Sequence, residues 1–190
     1  MKHCVAWQQF PVEAGHINQQ EKMSTTLSRL SFRKKPTPAD RDKVRHLVQS
    51  TGMFYPFEVE VAVELVELRL TQGTSSGYFF LFTESGGALI GYACYGPIAC
   101  TQGSYDLYWI VVDKNYQRRG VGRALLRRAE REIARRGGRR VYIETSGREQ
   151  YTPTRAFYQR CGYTAEAVLK DFYAPGDDKL ISVKQLPSAE

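Results

Sequence analysis

The sequence has no C-x-x-C pair and only four cysteines, Cys4, Cys94, Cys100 and Cys161, in 190 residues. That excludes a disulfide scaffold and points to reduced thiols in a cytoplasmic setting. A signal-peptide core is also missing, because the early apolar triplet Val5-Ala6-Trp7 is cut off at once by Gln8 and Gln9. Long hydrophobic runs are absent. The longest uncharged stretch, Ser85 to Tyr105, carries five glycines and Pro97, and its apolar part falls short of the ~20 residues a spanning helix needs. No membrane partner is expected. Histidine is scarce: His3, His16 and His46 share no metal-ligand spacing, so no metal site is expected. There is no Gly-Lys-Ser/Thr, which excludes a P-loop.

What is present suits one ordinary globular domain. Hydrophobic residues make up 42% and charged residues 25%, enough for a core and against wholesale disorder. Lys plus Arg number 27 against 20 acids, a net charge of +7, which favours phosphate-bearing partners. Ten arginines lie between Arg118 and Arg140, with only Glu130 and Glu132 among them. A solvated helix face that also attracts a ligand's phosphates is preferred here to a nucleic-acid face, so nucleic acid is not an expected partner.

Residues 1–28, with clustered Gln, Asn, Ser and Thr, read as a flexible extension before a single domain over 29–190. Leu30 to Lys34 alternates as a strand. Thr37 and Pro38 fit an N-cap and first turn, and Val44, Leu47 and Val48 follow at helical spacing. A second helix is expected from about Pro56 to Leu70. Tyr78–Phe82 and Ala88–Tyr95 form a hairpin around Gly86-Gly87. Tyr105–Val112 is nearly continuous apolar sequence, predicting a strand buried on both faces. Gly120–Arg136 carries Val121, Leu125, Ala129 and Ile133 on one stripe and ends at Gly137-Gly138. A strand over Arg140–Thr145, a short helix opened by Thr152-Pro153 and stopped by Gly162, and two last strands complete the order. The segment from 107 to 145 is strand–helix–strand, which requires a crossover and a parallel pair. The expected fold is therefore α/β (α+β), with a mixed central sheet of about 6–7 strands and helices on both faces.

The chemistry concentrates where the apolar strand ends. Gln117-Arg118-Arg119-Gly120-Val121-Gly122-Arg123 leads directly into a helix. Glycines there let backbone N–H groups approach a ligand, and a helix N-terminus favours phosphate. A dinucleotide fingerprint would need a third glycine where Leu125 stands. The segment instead resembles the Gln/Arg-x-x-Gly-x-Gly signature of the GNAT superfamily of acetyl-CoA-dependent N-acetyltransferases. Ala156-Phe157-Tyr158-Gln159-Arg160-Cys161-Gly162-Tyr163 resembles that family's Phe-Tyr-x-x-x-Gly-aromatic stretch. The resemblance covers about Leu30 to Leu186.

The resemblance implies a GNAT-like domain with a splayed parallel strand pair forming the slot for acetyl-CoA as co-substrate. The backbone of Ile110, Val111 and Val112 would hold the pantetheine arm, with an N–H near Val112 facing the thioester oxygen. The amides of Arg118, Arg119, Gly120, Val121, Gly122 and Arg123, with Gln117, would take the pyrophosphate. Tyr158 would be the general acid, since a phenol's pKa of about 10 is close to a thiol's of about 8.5. Glu144 is the candidate general base, against an equal reading as a solvated or ion-paired glutamate. Tyr151 stands near a cofactor-touching position of the family, after a longer loop. Cys161 reads as a packed thiol.

The implied activity is transfer of an acetyl group to a primary amine of a small molecule or amino acid. A protein or peptide N-terminal acetyltransferase, and a non-catalytic acyl-CoA-binding or nucleic-acid-binding module, are the alternatives. Acceptor loops are expected at about Met53–Glu60 and Asp171–Lys179. Their Tyr55, Phe57, Glu58, Tyr173, Asp177 and Asp178 would suit a cationic amine with an apolar part. A homodimer remains open.

Overall fold

Hydrophobic periodicity and glycine punctuation divide the chain as expected. The computed structural model describes Leu27 and residues 30–187. The extension expected over residues 1–28 lies outside the described residues except for Leu27, as do His3, Cys4 and His16. The elements are β1 (Ser31–Arg33), α1 (Asp40–Thr51), α2 (Pro56–Gln72), β2 (Phe79–Ser85), β3 (Ala88–Pro97), β4 (Ser104–Val112), α3 (Val121–Arg135), β5 (Arg140–Ser146), α4 (Thr152–Arg160), β6 (Thr164–Ala174) and β7 (Asp177–Gln185). The seven strands lie in the order β1-β2-β3-β4-β5-β7-β6. Among the described residues only β4 and β5 pair in parallel, joined through α3.

Each face of the sheet has its own core. On one face Leu125, Leu126, Ala129 and Ile133 of α3 and Tyr158 of α4 pack on Leu81, Ala93, Tyr95, Leu107 and Ile143. On the other, Val44, Leu47 and Val48 of α1 and Val59, Ala62 and Val66 of α2 cover Phe80, Phe82, Tyr92 and Val111. The valines of α2 do not turn it into a strand, because burial against the sheet overrides a weak intrinsic preference. Gly86 and Gly87 both take positive φ, as a two-residue type I′ hairpin requires. At the end of α3, Gly137 donates to the Ala134 carbonyl and Gly138 to that of Ile133. This paired arrangement with left-handed Gly137 closes the helix.

Three expectations change. Thr37 does not cap α1, which begins at Asp40 after Ala39. Asp40 is fully buried, takes both Arg33 Nη atoms, and accepts from the Thr37 N–H and hydroxyl. Asp40 is thus the hub of the turn, and Thr37 donates to it.

Second, β4 is not buried on both faces; Tyr108 is 40% exposed. Cys94 pairs with Trp109 but Tyr95 with Leu107, so Tyr108 is an extra residue in a bulge. The bulge exchanges the faces. Tyr105 and Leu107 point toward α3, while Trp109 and Val111 point toward α1 and α2. Each half of the strand buries alternate residues, and the exchange merges the two patterns into one apolar run. Third, Asp171–Lys179 lies in the last hairpin as expected but is mostly strand, since β6 reaches Ala174 and β7 begins at Asp177, leaving a tight turn at Gly176.

Candidate active site

The parallel pair is short. β4 meets β5 only at Ser104–Arg140, Tyr105–Val141 and Asp106–Tyr142. Beyond Asp106 the strands part. β4 continues on β3 to Val112, and β5 continues on β7 to Ser146. The edge of β4 from Leu107 to Val112 therefore has no strand partner on the β5 side, and an extended ligand can add there as a strand would. Ile110 and Val112 turn their side chains toward the α3-side core, leaving their backbone as what this edge presents.

Past that edge, the Asp113 carboxylate accepts from the Asn115 N–H at 2.8 Å, forming a short turn over Lys114–Tyr116. Gln117 Nε2 donates to the Val112 carbonyl at 3.0 Å. Its side chain thus ties the loop to the strand end. Arg118 and Gly120 both have positive φ, at 58° and 80°, with Gly120 the N-cap of α3. Left-handed residues among right-handed ones gather successive N–H groups into an anion-binding concavity. The free N–H groups of α3 begin at the same point.

Gly122 follows inside the helix. A Cβ there would find Phe157 at 3.6 Å and Val112 at 3.8 Å, which is ordinary contact. The protein has room for a methyl group, so a demand for glycine at this position would come from a ligand. The open edge, the concavity and this gap all fit an extended thioester carrying a pyrophosphate.

Tyr158 is buried on α4, with Phe157 at 5.2 Å and Tyr163 at 5.7 Å between ring centroids. Burial, and the neighbouring Cys161, push its phenol well above 10. It stays protonated through the neutral range, as a proton donor must. The helix ends with Tyr163 donating to the Tyr158 carbonyl and Gly162, at positive φ, to that of Gln159. Cys161 is half-buried and packs against the α3-side core.

Glu144 shows the ion pairing that was one of its two expected readings. Its carboxylate pairs with Lys179 Nζ at 2.7 Å, and Lys179 also lies over the Phe172 ring at 3.6 Å. The carboxylate whose basicity burial raises is Asp106. It stands where β4 and β5 part, half-buried, with its pKa pushed up to about 6 by desolvation and by Glu144, against a smaller opposing effect of Lys179. Sequence reasoning passed over it. The available signal was a single carboxylate inside the apolar run Tyr105–Val112.

The segments expected to meet the acceptor gather around Arg148, which carried no local signal in the sequence. Its Nη1 donates to the Tyr55 hydroxyl at 2.7 Å, its Nε pairs with Asp177 at 3.2 Å, and it lies over the Tyr55 and Tyr151 rings. Ser146 donates to Asp177 at 2.6 Å. Tyr151 thus stands with Tyr55 against Arg148. Tyr173 joins them, its phenol raised to about 12 by burial, then by Glu144, Asp177, Tyr151 and Glu58. Glu58 accepts from the Tyr55 N–H. Phe57 stacks outside Tyr55 at 5.6 Å, and Asp178 turns away to Lys170 and the Asp171 N–H.

With this geometry the comparisons agree. A profile described as Acetyltransferase (GNAT) family matches residues 45–163. The chain belongs to the GNAT acetyltransferase family. A solved acetyltransferase of that family from Desulfovibrio desulfuricans is 47% identical and superposes with a TM-score of 0.82, over 83% of this chain and 99% of that one. The ribosomal protein bS18-alanine N-acetyltransferase of Escherichia coli K12 is 32% identical over 73 residues, 38% of this chain and 48% of that one. The chain spans about half the length of the curated relatives it matches. An aminoglycoside 6′-N-acetyltransferase solved with coenzyme A shares the fold, with a TM-score of 0.68 and 19% identity, over 85% of this chain and 99% of that one. Coenzyme A is thus found on this fold, and acetyl-CoA is the family's co-substrate.

Gly122→Ala tests the cofactor assignment without straining the backbone. Alanine is also the better helix former, so the melting temperature should hold or rise. Acetyl-CoA affinity measured by calorimetry should fall at least fivefold. Unchanged affinity would remove Gly122 from the cofactor site.

Proposed function

We propose that this protein transfers the acetyl group of acetyl-CoA to a primary amine by direct attack. The observation that carries the reading is the parting of β4 and β5 beyond Asp106 above the left-handed Arg118–Gly120 loop. The β4 edge at Ile110–Val112 holds the pantetheine arm, with a backbone N–H near Val112 toward the carbonyl oxygen. Gln117 and the amides of Arg118, Arg119, Gly120, Val121, Gly122 and Arg123 hold the pyrophosphate. Buried edge donors gain strength from the low local dielectric as negative charge develops on that oxygen.

The amine must lose a proton before it can attack. Asp106 is the favoured base, because a carboxylate with pKa about 6 is ionised at neutral pH yet basic enough to accept. Glu144, paired to Lys179, orients the lysine and sets the field at Asp106. As the C–N bond forms and the C–S bond breaks, Tyr158 donates its proton to the leaving sulfur. Its raised pKa does not forbid this. The thiolate forms in the same desolvated slot, so burial makes both anions more basic and preserves their approximate match.

Aromatic groups and carboxylates dominate the acceptor rim, and its two cations, Arg148 and Lys179, are each paired with an acid. We read a cationic amine with an apolar part as the acceptor. The free thiols among the described residues suit the cytoplasm. An acetyl-CoA consumption screen over amines, amino acids and short peptides tests the reading. Turnover of none of them would contradict it, and turnover of peptides alone would assign the acceptor to a polypeptide N terminus.

Two substitutions test the chemistry. Asp106→Asn should lower turnover at pH 7 by 10- to 100-fold and abolish the fall in rate that the native enzyme shows below about pH 6. Stability supplies the control. Folding raises this carboxyl's pKa, so the native protein loses stability as pH rises from about 4 to 6, and the amide does not. The variant should be at least as stable at pH 7, with the advantage vanishing below pH 4. Full turnover in the variant would exclude Asp106 as the base.

Tyr158→Phe should cut turnover about 10²-fold with little change in acetyl-CoA affinity. If the hydroxyl only anchors α4, the variant would instead lose about 1 kcal/mol of stability and keep near-normal turnover.

A further inference from the structure

The buried stripe of α3 fixes what its other face displays. Arg123, Arg127, Arg131 and Arg135 repeat every four residues and all are exposed. At 1.5 Å per residue they form a row about 18 Å long. Of the two acids of the segment, only Glu132 touches the row, at its last member, Arg135. Glu130 is held by Lys184, and Glu132 by Lys34 and Arg135. Arg123, Arg127 and Arg131 form no salt bridge among the described residues. Beside the second half of the row is a cavity of about 470 Å³ lined by Phe32, Lys34, Arg128, Arg131, Glu132 and Arg135. Arg128 lies over the Phe32 ring at 4.1 Å and extends the cationic surface.

The acetyl donor's phosphates do not account for this charge. Their place is the N-terminal end of α3, at Arg118–Arg123. Arg127, Arg131 and Arg135 lead away from it, toward the other end of the helix. We infer that the exposed face of α3 is a docking surface for nucleic acid, held by its phosphate backbone. Three observations select this partner. The charge is linear, as a strand of phosphates is. Every cation of the row is arginine, whose planar guanidinium can engage phosphate with two hydrogen bonds. None of the large exposed apolar residues lies on α3; they are on α2, β4, β6 and at Tyr55. A bilayer-binding helix would need such residues to insert.

The proposal departs from the expectation that this charge serves solvation and the cofactor's phosphates. Glu130 is turned to Lys184, and Glu132 pairs with Lys34 and with Arg135 alone among the row.

The test is fluorescence anisotropy with labelled oligouridylate on the full chain. Four phosphate contacts on a single strand give a slope of log K against log salt of about −3, so binding should weaken about 50-fold between 50 and 200 mM salt. Arg127→Gln/Arg131→Gln, which leaves the cofactor loop intact, should lower affinity at 50 mM roughly tenfold and halve the slope. Its acetyl-CoA affinity should be unchanged. Arg41→Gln/Lys43→Gln on α1 removes the same charge elsewhere and should cost no more than about twofold. Equal losses in the two double variants would show that net charge alone drives binding and would overturn the proposal. So would an absence of binding at 50 mM, or a preference for phosphatidylglycerol vesicles over the RNA.

Discussion

The structure depends on how soon β4 leaves β5. Three paired residues join them, and then each strand follows its other neighbour, β4 along β3 and β5 along β7. An unpaired strand edge inside a sheet leaves backbone N–H and C=O groups without partners, a cost a native fold must meet. Here the edge is available for a ligand to complete. The same divergence leaves Asp106 at the fork, desolvated enough to raise its pKa and near enough to Glu144 and Lys179 to feel both. It also carries β5 to Glu144 and Ser146 on the acceptor side. The bulge at Tyr108 contributes by turning Ile110 and Val112 toward the α3-side core.

The order of the elements was legible in the sequence because local signals governed each one. Gly86-Gly87 could only make a tight turn, Val121, Leu125, Ala129 and Ile133 marked one helix face, and Gly137 and Gly162 ended helices at positive φ. The loop proposed for the cofactor was legible as a structure for a similar reason: strand, short turn, glycines and helix start are consecutive in the chain. What escaped was non-local. Lys179 meets Glu144 because β7 pairs with β5, a register no periodicity reveals. Arg148 stood in a loop without motif, and its partners Tyr55 and Asp177 come from distant segments. Asp106 interrupts an apolar strand visibly, but its meaning depends on the place where two strands separate.

The helix that begins at Val121 is divided along its length. Its first turn supplies free N–H groups beside Gly120 and Gly122. Its remaining turns hold the core on one face and a continuous arginine row on the other. On the opposite side of the sheet, Arg148 and Lys179 are absorbed by Asp177 and Glu144, so the rim proposed for the acceptor keeps its acidic and aromatic character. Charge is thus sorted by location, cationic on α3 and anionic at the fork, in a chain whose net charge is +7.

The central claim is that acetyl-CoA completes the open edge of β4 and is held by the loop beyond it. Amide hydrogen exchange in the presence and absence of acetyl-CoA tests this directly. The account requires new protection within Leu107–Val112 and within Arg118–Arg123, with little change along β2 or the β6 edge. Saturating acetyl-CoA that leaves both of those segments exchanging as before, while protecting amides elsewhere, would contradict it.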